Sequence, residues 1–367
     1  MARSKGKNVG LIGLGIIGSR IAGALRKRGL QVFVWNRTPK PEQNFVGSPA
    51  EVAELCDVIQ LFVADGEALL EMTKQLAPAL TAHHIITAHC TVGPESMRAA
   101  AEIVQRRGAR FLEAPFTGSK VAAENGQLVY YVAGDDAALK QVRSILESSS
   151  KEIVVISDKI GDASVMKVAT NMVTAATAQV AAEALALVRN SGMPAEIFSR
   201  AMKSNATNST TIEMKVPIMM AGDFEPHFSV KHMLKDVRIG MKLAENFGIE
   251  LPVTQAAGEM LLDEVKNGRA EADYASVAQK YFPVSKPFVR QEPPAKTEPA
   301  KTGEELKSIG AIRSETSQLP PKTDAKIEDT RKGDAGATKG EVPEGVNLSG
   351  GFRGWFSRFH SSSRREV

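Results

Sequence analysis

Cysteine is almost absent from this chain: Cys56 and Cys90 are the only two in 367 residues. Two cysteines give no disulfide framework, so the sequence favours a reducing compartment and we expect a cytoplasmic protein. Residues 1–8 are basic, and the apolar run after them is broken by glycines, so no cleavable signal peptide is predicted. The formal net charge is only +4, which gives no reason to expect a nucleic-acid partner.

Aromatic residues are also few, at 5% of the chain, but 43% of the residues are hydrophobic, enough for the cores of two domains. Proline and glycine are missing from residues 162–191, where nearly every side chain is apolar. This run predicts one buried helix, roughly 45 Å long, that forms the spine of a second domain. Lys167, Asn171, Gln179 and Glu183 lie within it and argue against a membrane span, since each would be costly in hydrocarbon.

Residues 9–38 predict a strand, a glycine-rich turn, a helix and a second strand. Gly13 allows a tight turn, Gly15 leaves room for a pyrophosphate, and Gly18 lets the helix pack on the strand. Ile16 and Ile17 complete the motif, and the free N–H groups of the helix N-terminus would bind the phosphates. The pattern therefore indicates a dinucleotide-binding site.

The second strand ends at Asn36, Arg37 and Thr38, where NAD-binding proteins usually carry an acidic residue. Arg37 suits a 2′-phosphate and its neighbours offer further hydrogen bonds, so the sequence predicts NADP, with NAD the less favoured cofactor. The alternative is an ordinary surface arginine after a strand. Two later strands end at the same sheet edge, in loops that contain Ala64 and Thr91.

Three histidines, His83, His84 and His89, lie close together in the sequence. No acid or cysteine accompanies them at a metal-ligand spacing, so we predict solvated histidines and no metal site. Cys90 is interpreted as a small buried thiol.

Two sets of polar residues are candidates for a substrate site. Thr117, Gly118 and Ser119 place two hydroxyls around a glycine after a strand, which suits one anion, although an ordinary turn would look the same. Lys167 and Asn171 are four residues apart and share a helix face. Lys167 is either a snorkelling side chain at the helix start or a proton donor whose pKa burial brings toward neutrality.

From residue 287 the composition changes to Pro, Lys, Glu, Thr and Ser, with few apolar residues before residue 350. Such a segment cannot bury enough surface to offset its ordering entropy, so we predict a disordered tail over residues 287–367. Its end carries aromatic residues among arginines, which either dock on a partner or a membrane surface or have no role: Phe352, Trp355, Phe356 and Phe359.

Residues 8–285 resemble the β-hydroxyacid dehydrogenase family through four motifs in the family's order. They are GLGIIG at 13–18, EAPFTGS at 113–119 where the family has DAPVSGG, GDASVMKVATN at 161–171 where it has GxxGxGxxxKxxxN, and KDVRIG at 235–240 where it has KDLxLA. The NRT strand ending, the TGSK variant and the spacing of residues 228–236 look most like the glyoxylate/succinic semialdehyde reductase branch.

The resemblance implies a role for each matching residue. Lys167 matches the family's catalytic lysine, and Asn171 matches the residue that helps to hold the substrate. Residues 117–119 match the loop that binds the substrate carboxylate, and Thr91 matches the threonine beside the nicotinamide.

Three further residues match positions that line the cleft from the second domain: Phe228, Asp236 and Lys235, the last of them near the cofactor. Two departures bear on substrate size, because Ala163 replaces a glycine and Thr117 replaces a serine. The segment of residues 38–48, beside the expected 2′-phosphate site, is also shorter than in the family.

The resemblance implies a Rossmann-type doubly wound α/β domain over residues 1–160 and an all-α substrate and dimerisation domain over 161–286, built on the long helix. It implies NADPH-dependent reduction of a small aldehyde-acid such as glyoxylate or succinic semialdehyde, or the reverse oxidation of a 3-hydroxy acid. The alternatives are a 3-hydroxyisobutyrate or tartronate semialdehyde dehydrogenase, an imine reductase, or a non-catalytic NADPH-binding scaffold. We expect a homodimer or homotetramer.

Overall fold

Short apolar runs alternate with amphipathic helices through the first part of the chain, and this alternation builds a doubly wound α/β domain. The computed structural model describes residues 8–282. Its strands are β1 (Asn8–Ile12), β2 (Gln31–Trp35), β3 (Val58–Leu61), β4 (Ile85–Ala88), β5 (Arg110–Glu113), β6 (Phe116–Thr117), β7 (Leu128–Gly134) and β8 (Ser150–Ser157). The helices among them are α1 (Gly18–Lys27), α2 (Pro49–Leu55), α3 (Gly66–Leu76), α4 (Pro94–Gln105), α5 (Lys120–Glu124) and α6 (Asp136–Glu147).

These strands form one sheet in the order β2-β1-β3-β4-β5-β7-β6, with β8 paired to β7. Neighbouring strands from β2 to β5 are parallel. β7 runs antiparallel to β5 and β6 but parallel to β8. The carboxyl ends of β1 to β5 therefore meet at one edge, which is where ligands bind in open sheets of this type.

Helices cover both faces of the sheet. Leu61 and Phe111 belong to the hydrophobic core on one face, and Leu11 and Tyr130 belong to the core on the other. Strands that are buried on both faces have nearly continuous apolar sequences, as these strands do.

The second part of the described chain is helical. It contains α7 (Asp162–Asn190), α8 (Ala195–Lys203), α9 (Thr210–Ala221), α10 (Val230–Phe247) and α11 (Pro252–Lys266), followed by a 3-10 helix at Tyr274–Lys280. α7 packs against α9, α10 and α11, and also against α4, β7 and β8 of the first part. Both parts belong to one compact unit. The predicted architecture, a Rossmann-type domain followed by a helical one, is confirmed.

The long helix α7 is long and apolar enough to cross a membrane by length and composition alone, but 44% of its most apolar window is buried inside the protein. It serves as the core helix of the second part, with Lys167 and Asn171 buried. The prediction that the whole helix is buried was wrong for one stripe: Val173, Val180 and Leu187 are 68%, 61% and 74% exposed. Since these residues are seven apart, they lie along one line of the helix.

The predicted domain boundary after residue 160 falls in the connection between β8 and α7. The boundary after residue 286, the predicted tail and the aromatic residues near its end lie outside the described residues: Phe352, Trp355, Phe356 and Phe359. These assignments stay predictions, as does the cytoplasmic location.

The predicted solvated histidines are in part buried, because His84 and His89 are each only 1% exposed. His89 donates from Nδ1 to the carbonyl of Ala114 at 2.8 Å, and its ring stacks on Phe62 with centroids 4.5 Å apart. Burial lowers the pKa of His89 to about 4. Within residues 8–282, no three His, Cys, Asp or Glu side chains come together as metal ligands.

Candidate functional site

The glycine turn between β1 and α1 is shaped by close packing at two glycines. Gly13 has φ +102°, and a Cβ there would lie 2.1 Å from the carbonyl oxygen of Phe62. A Cβ on Gly18 would lie 1.9 Å from the carbonyl oxygen of Gly13. A Cβ on Gly15 would meet nothing within 4 Å, so this residue faces open space. The turn therefore leaves room at Gly15 for a ligand to approach the backbone.

Asn36 ties the end of β2 to this turn. Its Oδ1 accepts the N–H of Leu14 at 2.8 Å, and its Nδ2 donates to the carbonyl of Thr38 at 2.7 Å. Lys40 Nζ donates to the carbonyl of Leu14. Arg37 is exposed and has no hydrogen bond or ion pair within the described part of the chain. Sequence reasoning missed Lys40, although a cation so soon after Arg37 was a usable signal.

Lys167 belongs to a chain of side-chain hydrogen bonds that reaches the sheet edge at Thr91. Lys167 Nζ donates to Asn171 Oδ1 at 2.8 Å, and Asn171 Nδ2 donates to Asp236 Oδ2 at 2.6 Å. Lys235 Nζ donates to the other oxygen of Asp236 at 2.6 Å and also to the carbonyl of Thr91. The structure thus brings five predicted site residues together, from α7, α10 and the loop after β4.

Burial sets the protonation behaviour of Lys167. Lys167 is only 7% exposed. Burial lowers the pKa of its ammonium group to about 8, with the Asp236 carboxylate opposing the decrease and the Lys235 charge adding to it. A lysine in this condition is mostly protonated at pH 7 yet can release its proton, which is the behaviour required of a general acid.

Glu113, at the end of β5, holds the start of α7. Its Oε1 accepts the N–H groups of Gly161 at 2.6 Å and Ala163 at 2.9 Å. Its Oε2 accepts the Ser164 hydroxyl at 2.8 Å and the Ser164 N–H at 3.3 Å. Burial raises the pKa of the Glu113 carboxyl, and the four donors oppose that increase. Sequence reasoning missed this contact, which fixes the helix that carries Lys167 to the sheet edge.

The loop of residues 117–119 leads into α5, which an ion pair joins to the helical part of the molecule. Gly118 has φ +136°, and Ser119 accepts the N–H of Ala122 at 3.2 Å as the N-cap of α5. Lys120, the next residue, donates to Glu225 at 2.8 Å, across 105 positions of sequence. No hydrogen bond within residues 8–282 joins Thr117, Gly118 or Ser119 to the Lys167 cluster.

The remaining predicted residues lie at the edge of this region. Ile16 is 45% exposed and Ala64 is exposed, whereas Ile17 is partly buried. Phe228 is partly buried just before α10, the helix that carries Lys235 and Asp236.

Two family models match this chain over most of its described length. The model described as the NAD binding domain of 6-phosphogluconate dehydrogenase matches residues 8–157, and the model described as NAD-binding of NADP-dependent 3-hydroxyisobutyrate dehydrogenase matches residues 161–281. This chain belongs to the β-hydroxyacid dehydrogenase family. That family comprises NAD(P)-dependent oxidoreductases that act on CH–OH groups, and both parts of this chain match its NAD(P)-binding domains.

The individual relatives share less than a third of their aligned residues with this chain. The cytokine-like nuclear factor N-PAC of Danio rerio is 29% identical over 288 residues, which cover 75% of this chain and 62% of that protein. This chain therefore spans less than two thirds of that relative's length. Glyoxylate/succinic semialdehyde reductase 2, chloroplastic, of Arabidopsis thaliana is 28% identical over 282 residues, which cover 74% of this chain and 78% of that one.

The crystal structure of 3-hydroxyisobutyrate dehydrogenase from Salmonella typhimurium has the same fold. It superposes with a TM-score of 0.69 over 75% of this chain and 100% of that chain. The sequence identity is 22%, so this likeness supports the architecture alone.

Proposed function

We propose that this β-hydroxyacid dehydrogenase uses NADPH to reduce a small aldehyde-acid, such as glyoxylate or succinic semialdehyde, or catalyses the reverse oxidation of a 3-hydroxy acid. The observation that carries the proposal is the buried chain of contacts from Lys167 through Asn171 to Asp236. Lys235 connects the same carboxylate to Thr91, beside the expected nicotinamide. A buried, oriented lysine with a lowered pKa at this edge is suited to proton transfer.

The glycine turn fits a dinucleotide. The open space at Gly15 admits a pyrophosphate, and no side chain caps the N-terminus of α1, so its N–H groups can bind phosphate. We assign the 2′-phosphate to Arg37, whose guanidinium is exposed, with Asn36 and Thr38 beside it. The other proposed cofactor contacts are Gly13, Gly15, Ile16, Ile17, Gly18, Ala64, Thr91 and Lys235.

The chain's own residues would bind and orient the substrate and move a proton. The nicotinamide, when bound, supplies the hydride. Lys167 donates a proton from Nζ to the aldehyde oxygen, and its charge stabilises the negative charge that develops there. Asn171 orients that ammonium group and Asp236 orients Asn171. The loop of residues 117–119 binds the substrate carboxylate and so fixes the aldehyde relative to Lys167.

The relatives support more than one substrate. The Arabidopsis thaliana relative is named for glyoxylate and succinic semialdehyde, and one matching family model is described by 3-hydroxyisobutyrate dehydrogenase. A tartronate semialdehyde enzyme or an imine reductase would use the same cofactor. The N-PAC relative is named as a nuclear factor, which favours a non-catalytic scaffold as the alternative of another class. A buried lysine with a lowered pKa argues against the scaffold, which has no need of one.

A reductase assay tests the proposal. Purified protein is mixed with NADPH and with glyoxylate, succinic semialdehyde or tartronate semialdehyde, and loss of NADPH absorbance is followed, with NADH in parallel. We expect turnover with at least one aldehyde, and faster turnover with NADPH than with NADH. If protein that binds NADPH tightly turns over none of the three aldehydes, the proposed aldehyde reductase activity is overturned. An imine substrate or a non-catalytic NADPH-binding scaffold is then favoured.

Replacing Arg37 by glutamine is expected to weaken NADPH binding by about 10- to 100-fold, because charge-assisted hydrogen bonds contribute about 1.5–3 kcal/mol. NADH affinity should change little, since NADH lacks the 2′-phosphate. Both affinities are measured by fluorescence titration. Arg143→Gln, which removes an arginine that pairs with Glu147 on α6, is the matched control. Equal weakening of NADPH and NADH would contradict the assignment of Arg37.

We also propose a homodimer that covers the exposed stripe of α7, formed by Met166, Val173, Val180 and Leu187. Lysine in place of Val180 and Leu187 should dissociate the dimer, because it places charges in a buried apolar contact. Sedimentation velocity measures the assembly. Val253→Lys on α11 is the control, since Val253 is 68% exposed and lies off the stripe. A monomeric wild type would contradict the proposal.

A further inference from the structure

A buried ion pair in the helical part takes no part in the chemistry described above. Lys215 of α9 donates from Nζ to both oxygens of the Asp273 carboxylate, at 2.7 and 2.9 Å. Their side chains are 3% and 0% exposed. Buried ion pairs are often no more stabilising than apolar residues of the same volume, because both charges lose their hydration. Stability alone therefore gives little reason for this pair.

The Asp273 carboxylate fixes the short loop that precedes α10. Its Oδ2 accepts the N–H of His227 at 2.9 Å and the N–H of Phe228 at 3.2 Å. Its Oδ1 accepts the N–H of Ala275 at 3.0 Å. With the two bonds from Lys215, this one carboxylate accepts five hydrogen bonds. Within residues 8–282, Lys215 is the only cation within hydrogen-bond distance of this carboxylate, which holds the backbone at Phe228.

Phe228 also makes two aromatic contacts, and one of them is with a ring that Lys215 contacts. Its ring lies nearly parallel to the ring of His232, with centroids 6.1 Å apart, and meets Tyr274 edge-on at 6.2 Å. Lys215 Nζ lies 4.3 Å from the centre of the Tyr274 ring. The ion pair therefore contacts both the backbone of Phe228 and one wall against which its ring packs.

The loop held in this way is joined by an ion pair to the residue that follows the proposed carboxylate site. Glu225, three residues before Phe228, bonds to Lys120, which directly follows residues 117–119. We propose that Lys215 and Asp273 are positioning residues that fix Phe228 beside that loop and thereby set the affinity for the aldehyde substrate. This inference rests on the proposed function, in which Phe228 contacts the substrate.

The test is a double-mutant cycle between Lys215 and Phe228, measured on the full chain with the aldehyde that the wild type reduces. Lys215→Met is expected to raise the KM for the aldehyde by about tenfold, the effect of losing one good contact with substrate, while kcat changes little. Phe228→Ala should raise KM as well. The combined variant should raise KM no more than Phe228→Ala alone, because both changes act through one ring.

Three further variants make the result interpretable. Lys215→Arg should restore most of the substrate affinity, and Lys242→Met, which removes an exposed lysine of α10, should leave it unchanged. If Lys215→Met does not fold, the variant Lys215→Met/Asp273→Asn replaces it in the cycle, because it leaves no uncompensated buried charge. Additive effects on KM, or a fall in kcat with KM unchanged, would overturn the proposal.

A measurement that does not depend on enzyme activity separates this inference from the proposed function. Amide hydrogen exchange at His227 and Phe228 should be about tenfold faster in Lys215→Met than in the wild type, since both N–H groups bond to Asp273. Unchanged exchange at these two amides would overturn the positioning role even in an active enzyme. If the wild type is inactive but Lys215→Met still exchanges these amides faster, the proposed reductase function is contradicted. The role of Lys215 and Asp273 in fixing the loop would then stand.

Discussion

Replacing Lys167 by alanine is expected to lower the turnover of aldehyde reduction by about 10²- to 10⁴-fold, the range for a positioned general acid. The change removes the proton donor and the charge that stabilises the developing alkoxide. NADPH binding should remain nearly intact, because Lys167 contacts Asn171 and not the glycine turn. Steady-state kinetics measures the first effect and fluorescence titration the second.

Two comparisons separate loss of the acid from loss of structure. Lys167→Met retains most of the side-chain volume and should be as inactive as Lys167→Ala. Lys242→Met removes an exposed lysine and should be as active as the wild type. Near-normal turnover in either Lys167 variant would contradict the assignment of Lys167 as the proton donor.

Replacing Glu113 by alanine is expected to lower the free energy of unfolding by about 3 kcal/mol or more, since buried donors left without an acceptor cost about 1–3 kcal/mol each. Four such donors lie at the start of α7: the N–H groups of Gly161, Ala163 and Ser164, and the Ser164 hydroxyl. Urea denaturation of the purified variant measures the change. Turnover should fall too, because the helix that carries Lys167 loses its attachment to β5.

An exposed helix cap provides the matched control for Glu113. Asp135 caps α6 through a single bond to the N–H of Ala138, at 2.5 Å. Asp135→Ala should cost about 1 kcal/mol, as other N-cap replacements do. If Glu113→Ala costs no more than Asp135→Ala, the Glu113 contact stabilises the protein no more than an ordinary helix cap does.

Local sequence signals predicted much of the fold. Ser48, followed by Pro49 and Glu51, predicts a helix start, and the Ser48 hydroxyl does accept the N–H of Glu51 at 3.1 Å. The glycine turn and the four-residue spacing of Lys167 and Asn171 are equally local. These patterns depend on residues within one or two turns of chain, so neighbouring sequence is enough to specify them.

Contacts between distant residues could not be predicted in this way. Glu113 is 48 to 51 positions from its partners at the start of α7, and Lys215 is 58 positions from Asp273. Each residue alone looks like a surface charge. His89 looked like a solvated loop residue because nothing local shows that Phe62 and Tyr130 pack against its ring. Such partners are set by tertiary packing.

The pH dependence of aldehyde reduction tests the central claim, that Lys167 donates the proton, most directly. Burial lowers the pKa of Lys167 to about 8, and the acid acts in its protonated form. At saturating NADPH, kcat/KM for the aldehyde should therefore be level below that pH and fall above it, while the reverse oxidation should rise over the same range. The falling limb should be absent from the residual activity of Lys167→Ala. A limb that persists unchanged in that variant, or wild-type reduction that is level through pH 8, would contradict the account.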